Sequence, residues 1–358
     1  MKYYSGILLS ALILTFISSC SSKEEQYCAF NNVEYVNNPT GYKLEAESEF
    51  SLPYIGILDF KIQDSLMILT NSGKNKLVTI IDKDTHNLYG EFINYGRGPG
   101  ECRDVIFHSN LTFINENQHL IGYFENFGSV YRFDLTESLL NKETIISRVS
   151  FLETPNLLMR VLPLNKNRFF IKEVSSGFDS QRRYIYTDGN RSTNTSIDSL
   201  NLVSLRKNNS KSLFNILSTF VHYNPDKDVL VEVPIFLRNI NLYSLNKSYS
   251  KTICIGDGLQ DINNFKKLEN AIRWAKDFRG YSDFFAILDK ASELDISLLL
   301  FKYDGTFIDK YILDHNCSSF DIDFSNNTLY TYDVDTEHFR LYDFTEVLNR
   351  VNKTTTIP

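Results

Sequence analysis

The feature that most constrains this chain is a strand-and-turn unit that returns six times. Short aromatic, aliphatic and β-branched runs end in turns rich in Asp, Asn or Gly. The runs are 77–82 before Lys83-Asp84, 130–134 before Leu135-Thr136-Glu137, 184–187 before Asp188-Gly189-Asn190, 240–245 before Asn246-Lys247, 298–303 before Asp304-Gly305, and 339–343 before Phe344-Thr345-Glu346. The units lie about 40 to 60 residues apart, a spacing typical of stacked repeats. Two are close copies: Tyr131-Arg132-Phe133-Asp134-Leu135-Thr136-Glu137 and Arg340-Leu341-Tyr342-Asp343-Phe344-Thr345-Glu346.

A repeat of this size made of short strands cannot bury its apolar faces alone. Packed around a ring, each sheet is covered on both faces by its neighbours, and few long edges stay exposed. The chain is therefore predicted to be all-β, a six-bladed β-propeller over residues 41–350 with a C-terminal tail at 351–358. In the first unit the strands are expected at 55–62, 66–70, 77–82 and 87–93, separated by Asp64-Ser65, Asn71-Ser72-Gly73 and Asp82-Lys83-Asp84. The last unit, with strands at 319–324, 328–334 and 338–344, lacks a fourth. Residues 41–50, with Tyr42, Leu44, Ala46 and Phe50, are predicted to supply it beside 339–343. In 261–278, Phe265, Leu268, Ile272 and Ala275 recur at helical spacing, so a short helical insertion is expected between blades 4 and 5.

The N-terminus is different in kind. Lys2 precedes a nearly continuous apolar run from Gly6 to Ile17, too short to span a bilayer core of about 30 Å. Ser18 and Ser19 then lead to Cys20. A basic start, short apolar core and small-small-Cys end resemble the lipobox of bacterial lipoproteins. That resemblance implies a signal peptide at 1–19, lipidation of Cys20, and membrane attachment through the lipid. Residues 20–40 are polar and are expected to form a flexible tether. Lys23-Glu24-Glu25 resembles the export signal of Bacteroidota surface lipoproteins. The expected location is the outer membrane, lipid-anchored and facing the cell surface, or else the periplasm.

The formal net charge is −7, and loss of Lys2 would leave the chain one unit more acidic. With no Lys/Arg cluster, nucleic acid is not an expected partner. Cys28, Cys102, Cys254 and Cys317 permit disulfides without fixing a pairing. No C-x-x-C, H-E-x-x-H or G-x-S-x-G is present. Three histidines, His108, His222 and His315, fall at or near candidate inner strands but out of register, so no metal or other cofactor is expected. The pairs Asp321/Asp323 and Asp333/Asp335 share one strand face each and read as solvated edges.

After the first outer strand comes Tyr95-Gly96-Arg97-Gly98-Pro99-Gly100-Glu101. A phosphate loop would follow a strand and open a helix; here Pro99 removes a donor and a strand-like segment follows. The glycines read as a tight crossing between blades, expected near the central channel. This loop, the turn at Tyr303-Asp304-Gly305-Thr306-Phe307 and the insertion resemble a family of six-bladed propeller lipoproteins of Bacteroidota, described as TolB-like or NHL-like. The resemblance implies the fold and an envelope location, and it carries no catalytic residue with it. Arg97, Glu101, Arg103 and Asp104 are the candidate ligand residues at a channel mouth.

Two functional readings follow. One is a non-catalytic binding or assembly module for a protein, peptide or glycan, acting as a monomer or within an envelope complex. The other is a propeller enzyme of NHL-like lyase or hydrolase type with its site in the channel. His, Arg, Tyr and carboxylate side chains converging from several inner strands would favour the enzyme.

Overall fold

The computed structural model describes residues 25–355 except 38, 74, 99, 104, 106–110, 127, 150–155, 206–212, 266 and 291–294. Six sheets follow one another along the chain. Their innermost strands are Ile57–Gln63, Leu111–Glu116, Leu158–Asn165, Thr219–Asn224, Ala275–Gly280 and Ser319–Asp323. Within each sheet successive strands pair antiparallel toward the rim. This is the predicted six-bladed β-propeller.

Alternation of side chains explains why the ring holds together. In blade 1, Met67 and Leu69 pack with Tyr330 and Phe339 of blade 6. Ile68, between them, points the other way and packs with Leu111 and Phe124 of blade 2. Each blade interface around the ring, 6 to 1 included, has such a cluster. Strands buried on both faces therefore read as unbroken apolar runs, such as Phe284-Phe285-Ala286-Ile287-Leu288, all buried. Each large side chain so buried contributes about 1.5–3 kcal/mol.

The N-terminal segment departs from expectation. Only Ser48–Phe50 fills blade 6, antiparallel to His338–Asp343 with Phe50 opposite Phe339. Gly41–Leu44, expected in the same place, instead runs parallel to Phe307–Leu313 as a fifth strand of blade 5. Val33–Val36 does the same on Ser250–Ile255 of blade 4. The segment is a strap along three consecutive outer edges. Those of blades 4 and 5 would otherwise present unpaired N–H and C=O groups, and a chain passing them satisfies those groups. Within the expected tether at 20–40, the described part from residue 25 onward is packed chain: Cys28 and Phe30 are buried. Asn239 and Asn241 each donate to the Cys28 carbonyl at 3.0 Å.

Among the described residues, α-helices lie outside the sheets at α1 (Leu135–Asn141), α2 (Thr195–Asn201) and α3 (Thr345–Thr355). The two similar heptapeptides, which share Asp, Thr and Glu at matching positions, lead into α1 and α3, where simple turns were expected. Asp134 Oδ1 accepts the Glu137 amide at 3.0 Å, and Asp343 Oδ1 accepts that of Thr345 at 2.9 Å. Residues 351–355, expected as tail, continue α3, with Val351 buried against blades 5 and 6. The helical spacing in 261–278 produces no α-helix. Ile262–Asn264 and Leu268–Asn270 are single 3-10 turns, and Ala275–Gly280 is the inner strand of blade 5. The apolar residues serve two elements: Phe265 and Leu268 pack on Cys28 and Val203, whereas Ala275 joins the blade 4/5 core.

Candidate functional site in the central channel

The inner strands of blades 1 to 5 enclose a cavity of about 240 Å³ around the axis. Four of them each bring one basic side chain to it: Lys61, Arg160, His222 and Arg279. Gln63, Thr112 and Tyr223 add polar groups, and no Asp or Glu lines the cavity among the described residues. Arg160, 5% exposed, donates to Thr112 Oγ1 at 3.1 Å. The His222 ring lies against Phe278 and Tyr303, with centroids 6.4 and 6.2 Å away. It also lies on the backbone of Gly280, where a Cβ would come within 2.4 Å of three imidazole atoms. Glycine is needed there for the ring to fit.

Burial pushes the His222 imidazole down to about 4, helped by the positive charges of Lys61 and Arg160, so at neutral pH it is uncharged. Burial also lowers Arg160, to about 10, which leaves it cationic. Burial opposes the charge on Arg279, yet the adjacent Asp277 and Asp59 hold its pKa above the ordinary arginine value. Burial in turn raises both carboxyls, against the pull of Arg279.

Those carboxylates belong to a clamp beside the cavity. Arg279 of blade 5 donates to the Phe320 carbonyl of blade 6 at 2.7 Å and to Asp59 Oδ1 and the Phe60 carbonyl of blade 1 at 2.9 and 2.8 Å. Asp321 accepts from Tyr281 Oη at 3.0 Å and from the Ile62 amide at 2.8 Å. Lys83 of blade 1 pairs with Asp323 of blade 6 and donates to Ser325 Oγ at 2.9 Å. Asp321 and Asp323 are thus buried seam residues, which corrects their reading as solvated edges. Asp333 is buried too and accepts the Asp335 amide at 3.1 Å.

The loop candidates lie elsewhere. The Gly-rich loop folds back on the rim of blade 1: Glu101–Cys102 pairs parallel with Asn94 and Tyr95 of the blade's own outer strand. Gly98 donates to Glu101 Oε2 at 2.7 Å, Gly96 to the Cys102 carbonyl at 2.8 Å, and Arg97 is exposed. The Arg103 amide donates to Asn126 Oδ1 at 3.2 Å. None of Arg97, Glu101 and Arg103 lines the cavity; Asp104 lies outside the described residues. The expected channel position of this loop is therefore replaced by a rim position, because the chain pairs with its own blade before crossing.

Of the three histidines, His222 reaches the cavity, His315 is 44% exposed beside Asp314, and His108 lies outside the described residues. Among the described residues no group of His, Cys, Asp and Glu is arranged to hold a metal. Cys28, Cys102, Cys254 and Cys317 are buried free thiols. Cys20, Lys23 and Glu24 lie outside the described residues, whereas Glu25 accepts from Tyr27 Oη at 2.5 Å. No described helix is long and apolar enough to cross a membrane. The signal for the basic set was present in the sequence: four inner strands carry a basic residue, and that of blade 5 carries both Lys276 and Arg279. It emerges only when the first strand of every unit is compared.

No family model matches the chain, and no curated protein matches it. Solved structures do. A member of the DUF4221 family from Bacteroides vulgatus is 9% identical, with a TM-score of 0.51, over 84% of this chain and 97% of that one. The β-propeller domain of Cps50 (Swd1) from Myceliophthora thermophila is 12% identical, with a TM-score of 0.45, over 82% and 98%. At such identities the likeness extends to the fold alone, and by fold this chain is a six-bladed β-propeller.

Proposed function

We propose that the protein is an exported, lipid-anchored binding module whose central channel receives an anionic group of its ligand. The observation that carries this reading is that the cations Lys61 and Arg160 meet, beside the uncharged His222, in one cavity whose described lining includes no carboxylate, while the charge of Arg279 is already balanced by Asp59 and Asp277. Cations held at fixed positions in a partly desolvated site attract an anion far more strongly than the same groups in water. A cavity of about 240 Å³ suits a small acid or the end group of a larger partner. The N-terminal pattern ending at Cys20, followed by Lys23-Glu24-Glu25, supports attachment to the outer membrane and exposure at the cell surface.

One observation favours a second reading. An uncharged His222 beside two cations is the arrangement of a general base next to a site for a developing negative charge. In that reading the channel is the active site of a lyase- or hydrolase-type enzyme. Calorimetric titration with citrate at low ionic strength tests the first reading. Wild type should bind citrate, Lys61→Met should bind it more weakly, and added salt should weaken both. Absence of citrate-dependent heat at low salt would count against the anion site.

A further inference from the structure

The strap fixes where the anchored end of the chain leaves the body. Among the described residues, Gln26 is the first tied to a distant part of the fold: its amide donates to Asp261 Oδ1 at 3.0 Å, and its carbonyl accepts the Ile262 amide at 2.9 Å. Its side-chain amide pairs with the Ser204 backbone, accepting that residue's amide at 3.1 Å and donating to its carbonyl. The chain therefore departs between the connection after α2 and the two 3-10 turns of the insertion.

Both segments carry an apolar side chain in solvent at this place. Leu202 is 79% exposed and Ile272 is 75% exposed. Each adjoins a member of one apolar cluster, Val203 in the first case and Ala271 in the second, so the two segments flank a common base. Lys267, in the same insertion, is exposed.

Only five residues separate Cys20 from Gln26. Fully extended, that stretch reaches about 20 Å. A compact body of this size has a radius of gyration of about 20 Å. A leash no longer than the body's own radius cannot let its far side turn to the leaflet. We infer that the surface carrying Leu202 and Ile272 docks on the membrane leaflet that holds the Cys20 lipids, with both side chains entering the interfacial region. The inference rests on the lipid-anchored reading above. Burying two aliphatic side chains in the interface adds to the lipid chains' hold and sets one orientation.

The test uses the mature chain coupled through Cys20 to a maleimide lipid in phosphatidylethanolamine/phosphatidylglycerol vesicles, so attachment does not depend on cellular lipidation. Tryptophan is placed singly by Leu202→Trp and Ile272→Trp, and by Leu88→Trp as the control on blade 1, across the ring from blade 4. The native Trp274 is buried and gives a constant background. Acyl chains brominated near the headgroup should quench the tryptophans at 202 and 272 and leave that at 88 bright. Equal quenching at all three positions, or none at 202 and 272, would overturn the docking inference. The intact mass of protein purified from cell membranes answers the separate question of lipid on Cys20.

Discussion

Arg279 on blade 5 donates to Asp59 of blade 1 at 2.9 Å, so one guanidinium reaches past the whole of blade 6 to the blade that begins the ring. It bonds blade 6 on the way, through the Phe320 carbonyl. The seam between the first and last blades is where a ring would open. This side chain crosses it together with Lys83–Asp323 and the short strand Ser48–Phe50.

Arg279→Met should therefore lower unfolding stability by about 3–5 kcal/mol, because Asp59 and Asp277 would be left buried without their counter-charge. Denaturant melts of the two proteins measure it. An unchanged midpoint would show that the clamp adds nothing to closure.

The strap makes a graded prediction. Starting the chain at Gly41 removes the fifth strand of blade 4 and the buried Cys28 and Phe30. Starting it at Ser51 also uncovers blade 5 and takes the fourth strand from blade 6. The melting temperature should fall in that order, and the shorter protein should self-associate through its bare edges. Scanning calorimetry with light scattering reads both effects; equal melting temperatures would contradict the account.

In the Gly-rich loop, the backbone at Gly100 is left-handed, with φ +77°, whereas Gly98 lacks that constraint and a Cβ there would lie 3.0 Å from Glu101 Oε2. Gly100→Val should cost more stability than Gly98→Val, by at least about 1 kcal/mol. Arg97→Ala, on an exposed side chain, should leave the melt unchanged. Thermal melts of the three variants rank them.

His222 links the channel to pH. Its folded pKa, about 4, lies below the ordinary value near 6.5. Between these two values the unfolded chain binds the proton and the folded one resists it. This contribution is constant above about pH 6.5 and is lost as pH falls toward 4. Replacing His222 with Gln should flatten the stability profile in that window, as pH-dependent melts would show. An unchanged slope would mean that the ring protonates freely in the folded state.

The blades were legible because every strand buried on both faces must be apolar throughout, and polar turns punctuate such runs. The first blade illustrates this, with expected boundaries falling within two residues of Ile57–Gln63, Leu66–Asn71, Lys76–Asp82 and Leu88–Tyr95. Parallel pairing of Val33–Val36 was hidden because a four-residue edge strand with half-polar sides resembles a linker. The helices α1 and α3 were signalled by Asp134 at the N-cap and Asp343 one residue ahead of it, each with an acid three residues on, a cue masked by the strand pattern before it. The site was illegible for a different reason. Lys61, Arg160, His222 and Arg279 are each unremarkable in their own strand, and only closure of the ring brings them to one cavity.

The central claim, an anion-receiving channel, is tested most directly by a crystal of the protein soaked in sodium bromide and measured at the bromine edge. The account predicts an anomalous peak inside the cavity, within contact of Lys61 and Arg160, that disappears in Lys61→Met. Bromide found only on the outer surface, with the channel free of it, would contradict the account.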